Sequence, residues 1–225
     1  MSLVKILLLA GFFAMYPARS LAEDRYIIGI IDTGFDRNPA LVPYECEGLS
    51  KDLTGGNGMD DYGHGSHVAY LATRGLPSKK FCFVMIKWLA GGRAPRVGVV
   101  AAGINYAVGV GAKVINLSLG GKGALDEEFE AILNALQQGV HVVVASGNEG
   151  ANLSKRCDYY PACYPFENAF FHVVTSPRRS SNHGGTVTES YSGTCNYMGY
   201  KDEGTSYSAA RATNRIAKGK HVGSH

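Results

Sequence analysis

Three short strings in this 225-residue chain carry an acid, a base and a hydroxyl nucleophile, in that order. Asp32 begins the string Asp-Thr-Gly, His64 lies in Gly-His-Gly, and Ser206 ends the string Gly-Thr-Ser. A serine hydroxyl is too weak an acid to attack a carbonyl carbon unaided, so a histidine must accept its proton and a carboxylate must orient that histidine. The three residue types together are therefore those of nucleophilic acyl transfer.

Each string taken alone is only moderately specific. Asp-Thr-Gly is also found in aspartic proteases, Gly-His-Gly fits a helix-entry loop, and Gly-Thr-Ser fits a turn and helix cap. An aspartic protease needs a second carboxylate of the same kind, but the chain contains no second Asp-Thr-Gly and no Asp-Ser-Gly. An aspartic-protease half-site is therefore a less favoured alternative.

The chain that must position these residues alternates between predicted strands and predicted helices. The run Tyr26–Ile31 is continuously apolar rather than alternating, as is typical of a strand buried on both faces of a parallel sheet. Similar runs recur at Phe81–Ile86, Val114–Leu119, Val140–Ala145 and Ala169–Val174. Helical patterns separate them over residues 64–75, 97–108 and 126–139, and a further helix is expected over 206–218. The pattern predicts an α/β fold: a three-layer, doubly wound, mostly parallel sheet with helices on both faces.

In such a sheet the functional side chains gather at the carboxyl ends of the strands. Asp32, Ser118 and Asn148 all follow predicted strands directly or within a few residues. We therefore expect these three residues to lie on one edge of the sheet.

Two further strings complete a resemblance to a known family. Ile-Asn-Leu-Ser-Leu-Gly-Gly surrounds Ser118, and Ala-Ser-Gly-Asn-Glu-Gly surrounds Asn148. With the first three strings they make five segments in one order between about Tyr26 and Lys218, and in this the chain resembles the subtilisin-like serine peptidases (subtilases, family S8).

The resemblance implies a role for each segment. Asp32, His64 and Ser206 become the catalytic triad, and Asn148 becomes the side-chain donor to the oxyanion, beside the backbone N–H of Ser206. The substrate is then bound as an added extended strand, and the residues lining its pocket are Ser118, Leu119, Gly120, Ala145, Ser146 and Gly147. No cofactor or metal is required; a structural calcium ion is possible, with Asp60 and Asp61 as available acids but no assigned site.

The chain departs from the family pattern at several points. Tyr159 falls where the family often has a small residue at the floor of the specificity pocket, which implies a shallow pocket that prefers small residues. Ser66 stands in place of threonine, and Ala210 in place of proline. We also expect no pro-domain before the first strand, and a fold truncated at its C-terminal end because few residues follow Ser206.

Residues 1–22 have the pattern of a secretory signal peptide, with Lys5, an apolar run and small residues before the expected cleavage site. Residues 23–225 then form the peptidase domain. Export makes disulfides possible: Cys157 and Cys163 are close enough in sequence to pair, whereas Cys82 is interpreted as a small buried hydrophobe. The polar stretch 176–188 is interpreted as a surface loop.

Composition and charge exclude several other classes of protein. The chain is 45% hydrophobic and 18% charged with a net charge of +3, which excludes disordered and collagen-like proteins and offers no basic field for nucleic acid. The sequence predicts a monomeric serine endopeptidase, secreted or periplasmic, with no membrane attachment after signal cleavage and with polypeptide substrates. The alternative is an inactive or incomplete subtilisin-like protein that binds extended peptides without cleaving them.

Overall fold

The computed structural model describes residues 25–94 and 96–222. Its centre is a seven-stranded sheet in which all neighbouring strands are parallel, in the order β2-β3-β1-β4-β6-β8-β9. The strands are β1 (Tyr26–Asp32), β2 (Lys51–Asp52), β3 (Phe81–Lys87), β4 (Val114–Leu117), β6 (His141–Ala145), β8 (Phe171–Thr175) and β9 (Glu189–Ser190). The five predicted buried strands are confirmed, and the two-residue strands β2 and β9 close the edges.

Helices cover both faces of the sheet. They are α1 (His64–Thr73), α2 (Val99–Gly109), α3 (Asp126–Gln137) and α4 (Thr205–Val222). Side chains that alternate along the central strands enter two separate cores: Ile31 and Ile115 pack on the side of α2 and α3, while Ile30 and Val114 pack on the side of α1 and α4. The three-layer doubly wound fold expected from the sequence is therefore the one observed.

Two small antiparallel pairs lie outside the main sheet. Strands β5 (Gly121–Lys122) and β7 (Tyr159–Tyr160) pair with each other, as do β10 (Thr194–Tyr197) and β11 (Tyr200–Glu203). The first pair links the segment after β4 to the loop that follows β6. The second pair ends two residues before α4 begins.

The interpretation of Cys82 is wrong. Cys82 in β3 forms a disulfide with Cys46, and Cys157 pairs with Cys163 as the short spacing allows. Cys195 is a buried free thiol, and burial raises its pKa to about 11. The disulfide was not predicted, because a cysteine in an apolar buried strand has the same sequence pattern whether it is a free thiol or half of a disulfide.

The interpretation of residues 176–188 as a surface loop is wrong in part. Ser181 is 2% exposed and Asn182 is fully buried, although Arg179 and His183 are exposed. Buried polar groups must be hydrogen-bonded, and Asn182 meets this requirement by binding the segment after β6, as described below. Polar composition alone did not distinguish a solvated loop from one folded onto a site.

The expected signal peptide, residues 1–22, lies outside the described residues, and the domain boundaries stay predictions. Within the described part of the chain no helix is both long and apolar enough to cross a membrane.

Candidate active site

Asp32 and His64 are in direct contact. The His64 Nδ1 atom lies 2.7 Å from Asp32 Oδ1, and the carboxyl group is only 2% exposed. Asp32 is the last residue of β1 and His64 the first of α1. The acid and the base therefore meet where a strand ends and a helix begins, which is where parallel-sheet folds place reactive groups.

The start of α1 packs closely against the backbone that follows Asp32. A Cβ built on Gly65 would lie 2.1 Å from the Gly34 carbonyl oxygen and 3.2 Å from Asp32 Oδ1. No side chain fits at that distance, because the obstacle is backbone and cannot rotate away. Glycine at position 65 therefore allows His64 to reach the carboxylate.

We expect Gly65→Ala to lower the free energy of unfolding by about 3 kcal/mol, because the new methyl group must push α1 away from the end of β1. Urea denaturation measures this loss. Gly109→Ala is the matched control, since Gly109 is also helical and a Cβ there meets no atom within 4 Å; it should change stability by no more than about 1 kcal/mol. Equal stability of the two variants would contradict this account.

Asp60 holds the start of α1 in place. Its carboxylate accepts hydrogen bonds from the Gly63 and Ser66 backbone N–H groups, at 2.8 Å each, and from the Ser66 and Thr33 hydroxyls. Burial raises the pKa of Asp60, but the bonds from Ser66, Thr33 and Gly63 outweigh burial, and the net pKa is lowered. This role was not predicted from the sequence, because Asp60 lies outside the N-cap position, which Gly63 occupies.

A buried lysine, Lys87, binds the residue after Asp32 and the loop that precedes α1. Lys87 is 4% exposed, and its Nζ donates to the Thr33 and Met59 carbonyl oxygens at 2.9 and 2.6 Å. It also forms an ion pair with Asp61 at 2.6 Å. Asp60 and Asp61, the two acids considered for calcium, are thus both engaged by the protein.

The charge state of His64 is set by opposing effects. Burial lowers the pKa of His64, whereas the Asp32 carboxylate raises it, with smaller contributions from Asp60 and Asp202. The net pKa lies above the usual histidine value. A hydrogen bond from Nδ1–H to Asp32 also leaves Nε2 as the basic atom of the neutral ring.

Ser206 is the second residue of α4, and its helix turn packs beside the base. The ring of its neighbour Tyr207 lies 5.7 Å from the His64 ring, centroid to centroid. The Ser206 hydroxyl donates to the Ser118 carbonyl oxygen at 3.4 Å, and the Ser118 hydroxyl donates to the Ser206 carbonyl oxygen at 2.8 Å. No hydrogen bond joins Ser206 Oγ to His64 in the part of the chain that the structure describes. Hydrogen bonds between a nucleophile and its base are often long without substrate and tighten only when substrate is present.

Asn148 lies against the same helix start. Its Oδ1 accepts a hydrogen bond from the Thr205 backbone N–H at 2.9 Å, and this assigns the oxygen and leaves Nδ2 as the free end of the amide. The backbone N–H of Ser206 is among the first N–H groups of α4, which have no acceptor within a helix. The two donors belong to neighbouring parts of the site, since Asn148 is hydrogen-bonded to Thr205, the residue before Ser206.

Asn182 organises the segment that carries Asn148. Its Oδ1 accepts from the Ala151 N–H at 2.8 Å, and its Nδ2 donates to the Ser146 carbonyl and the Glu149 carboxylate at 2.8 and 2.7 Å. Asn182 was not predicted from the sequence, because it lies 34 positions beyond Asn148 in a polar stretch. Only the tertiary structure brings the two together.

The expected substrate-binding segments flank Ser206. Ser118, Ala145, Ser146 and Gly147 are buried, Leu119 is half-buried and Gly120 is exposed. The first segment follows β4 and the second follows β6, and these two strands are neighbours in the sheet. The structure thus brings Ser118, Gly147 and Asn148 against the start of α4, and Asp32 against His64.

No group of three or more histidine, cysteine or acidic side chains within residues 25–94 and 96–222 could hold a metal ion. The calcium ion considered from the sequence stays a prediction.

Comparison with known proteins identifies the family. A family model described as "Subtilase family" matches residues 23–188. The cell wall-associated protease of Bacillus subtilis (strain 168) is 34% identical over 152 residues, which cover 60% of this chain and 17% of that protein. Thermitase of Thermoactinomyces vulgaris is 32% identical over 187 residues, which cover 77% of this chain and 64% of that protein. The chain thus spans less than two thirds of the length of either relative.

Solved structures agree on the fold. A cold adapted subtilisin-like serine proteinase superposes with a TM-score of 0.69 at 23% identity, covering 88% of this chain and 76% of that one. A lanthipeptide protease superposes with a TM-score of 0.72 at 18% identity, covering 85% and 72%. From the order of its motifs, its parallel sheet and the family match, the chain belongs to the subtilase family.

Proposed function

We propose that the chain is a serine endopeptidase that hydrolyses peptide bonds by acyl transfer through Ser206. The observation that carries the proposal is the 2.7 Å contact between His64 Nδ1 and the buried Asp32 carboxylate, beside the helix start that bears Ser206. Membership of the subtilase family and similarity to the cell wall-associated protease of Bacillus subtilis and to thermitase support it.

In the proposed reaction, Ser206 Oγ attacks the carbonyl carbon of the substrate while His64 Nε2 accepts the hydroxyl proton. Asp32 holds the imidazole in the required tautomer and stabilises its charged form. Asn148 Nδ2 and the Ser206 N–H donate to the developing oxyanion, and the positive end of α4 adds to this stabilisation. His64 then protonates the leaving amine, and a water molecule attacks the acyl-enzyme with the same base.

The substrates are proposed to be polypeptides bound in extended form along Ser118–Gly120, as an added strand. Two features support action outside the cytosol. The leader-like pattern of residues 1–22 is typical of export, and the two disulfides, Cys46–Cys82 and Cys157–Cys163, are typical of oxidising compartments. We accordingly propose a secreted or periplasmic protein.

A fluorophosphonate probe tests the proposal. Ser206 Oγ should displace the fluoride, and mass spectrometry of the digested protein should locate the label on Ser206. Casein cleavage by the same preparation gives an independent readout. Folded protein that takes up no label and leaves casein intact would refute catalysis and favour the peptide-binding alternative, which titration with extended peptides would then measure.

Asn148→Ala is expected to lower kcat by about 100- to 1000-fold, because one of the two oxyanion donors is removed. Asn148→Asp separates this role from a structural one, since it keeps the acceptor for the Thr205 N–H but replaces the donor with a negative oxygen. We expect Asn148→Asp to lower kcat by at least as much as Asn148→Ala does. Asn134→Ala, on the exposed surface of α3, is the control; recovery of activity in Asn148→Asp would contradict the assignment.

A further inference from the structure

Tyr159 fills the space between the two segments that follow β4 and β6. A Cβ built on Gly120 would lie 2.4 Å from Tyr159 Cε1 and 2.8 Å from its hydroxyl oxygen. A Cβ built on Gly147 would lie 2.9 Å from the same Cε1 atom, beside the Asn182 amide and the Glu149 carboxylate at 2.3 and 2.6 Å. The phenol ring therefore occupies the space into which a side chain on either glycine would point, and it lies between the two segments.

The ring is held in this position by its own strand. Tyr159 lies in β7, which pairs with β5 so that Tyr159 stands opposite Lys122. Its carbonyl oxygen accepts a hydrogen bond from the Cys163 N–H at 2.9 Å, and Cys163 is bonded to Cys157 on the other side of Tyr159. Burial, with a smaller effect from Glu149, raises the pKa of Tyr159 to about 12, so the phenol is neutral at physiological pH.

This gap between the two segments lies where a substrate side chain must point. Ser206 is bound to Ser118 on one side, and its neighbour Thr205 is bound to Asn148 on the other. A carbonyl carbon bonded to Ser206 Oγ, with its oxygen toward Asn148 and its chain extended along Ser118–Gly120, directs the attached side chain between Gly120 and Gly147. Tyr159 already occupies that volume.

We propose that Tyr159 restricts cleavage to peptide bonds whose carbonyl group belongs to glycine, with alanine as the upper limit of size. The inference deepens the proposed function and rests on it, because it concerns the same cleft. The ring excludes larger side chains sterically: they would have to displace a residue fixed by β5 and by the Cys157–Cys163 bridge. The substrate class is then an extended polypeptide with a glycine on the acyl side of the cleaved bond.

Peptidyl diphenyl phosphonates test this proposal, because the reacting phosphorus fixes which side chain enters the gap. Two probes would be compared that differ only at the carbon attached to phosphorus, one carrying hydrogen as in glycine and one carrying benzyl as in phenylalanine. In the native chain the glycine analogue should label Ser206 at least about 100-fold faster. In Tyr159→Gly the benzyl probe should react at least about 100-fold faster than it does with the native chain.

Two variants control for other effects of the substitution. Tyr159→Phe keeps the ring but removes the hydroxyl, so it should retain the native ratio of labelling rates. Tyr160→Phe alters the next residue of β7, which packs on Tyr164 with ring centroids 4.9 Å apart, and it should also retain that ratio.

Each outcome bears on a separate claim. Equal labelling of the native chain by the two phosphonates, or a ratio that Tyr159→Gly leaves unchanged, would overturn the proposal for Tyr159 even if a simple fluorophosphonate labels Ser206. Failure of every probe, the simple fluorophosphonate included, would instead overturn the proposed function. If Tyr159→Gly does not fold, the ratio of the two labelling rates on the native chain is the remaining test: a ratio near one would overturn the size restriction.

Discussion

Replacing Ser206 by alanine is expected to lower kcat by about 10⁶-fold and to abolish labelling by a fluorophosphonate, because the nucleophile is removed. The fold should persist, since among residues 25–94 and 96–222 the Ser206 hydroxyl makes one hydrogen bond, a 3.4 Å contact with the Ser118 carbonyl oxygen. Steady-state cleavage of a fluorogenic peptide measures the first effect, and a thermal melt verifies that the variant is folded.

Ser208→Ala is the matched control for this experiment. Ser208 lies two residues further along α4, fully buried, and its hydroxyl donates to the Tyr191 carbonyl oxygen at 2.9 Å. Loss of that bond should cost about 1 kcal/mol of stability without removing the reactive group. Retained labelling in Ser206→Ala, or lost labelling in folded Ser208→Ala, would show that Ser206 is not the nucleophile.

Asp32→Asn is expected to lower kcat by about 10⁴-fold. The amide keeps the shape of the carboxyl group but carries no charge to stabilise the imidazolium, and it permits the wrong tautomer of His64. Asp126→Asn, in the exposed first turn of α3, is the control and should leave kcat unchanged. A loss of less than tenfold would contradict the role assigned to Asp32.

The same variant changes the dependence of activity on pH. The base must be neutral to accept a proton, so kcat/KM should rise with pH through a midpoint above about 6.5, the ordinary pKa of histidine. In Asp32→Asn that midpoint should move to lower pH, because the Asp32 carboxylate is the main group that raises the pKa of His64. A pH profile of the residual activity measures the shift, and an unmoved midpoint would contradict it.

Stability should respond to pH in the opposite direction from activity. A histidine whose pKa is raised on folding binds protons more tightly in the folded state, so its contribution is complete below about pH 6.5 and is lost as pH rises through the folded pKa. Over that interval the native chain should lose stability relative to Asp32→Asn. Chemical denaturation at several pH values measures the difference.

The parallel sheet and its layers were predictable from the sequence, because burial on both faces leaves a signal within each strand. Five apolar runs of six residues each marked the central strands, and the helical patterns between them required crossovers. The two edge strands, Lys51–Asp52 and Glu189–Ser190, were not predicted, because two exposed or half-buried residues carry no periodicity. The Cys46–Cys82 bridge was missed for a related reason, since an apolar strand gives no sign of a partner 36 residues away.

The candidate site was predictable to the extent that its residues lie in short local strings. Asp32, His64, Asn148 and Ser206 were identified because each sits beside a turn or a helix start with its own residue pattern. Asp60, Lys87 and Asn182 were not identified, because their partners are brought near only by folding. The sequence also indicated Tyr159 as unusual but gave no measure of the space around it.

The sequence by itself therefore determined the family, the order of the elements and the chemical groups available, since these depend on residue type and local spacing. The tertiary structure decided which groups touch: that His64 reaches Asp32 over a glycine at position 65, and that Ser206 Oγ rests on the Ser118 carbonyl oxygen. It also decided that Tyr159 occupies the gap between Gly120 and Gly147. Contacts of this kind depend on differences of a few tenths of an ångström in the distances between segments far apart in the chain, and close packing of the whole fold sets those distances.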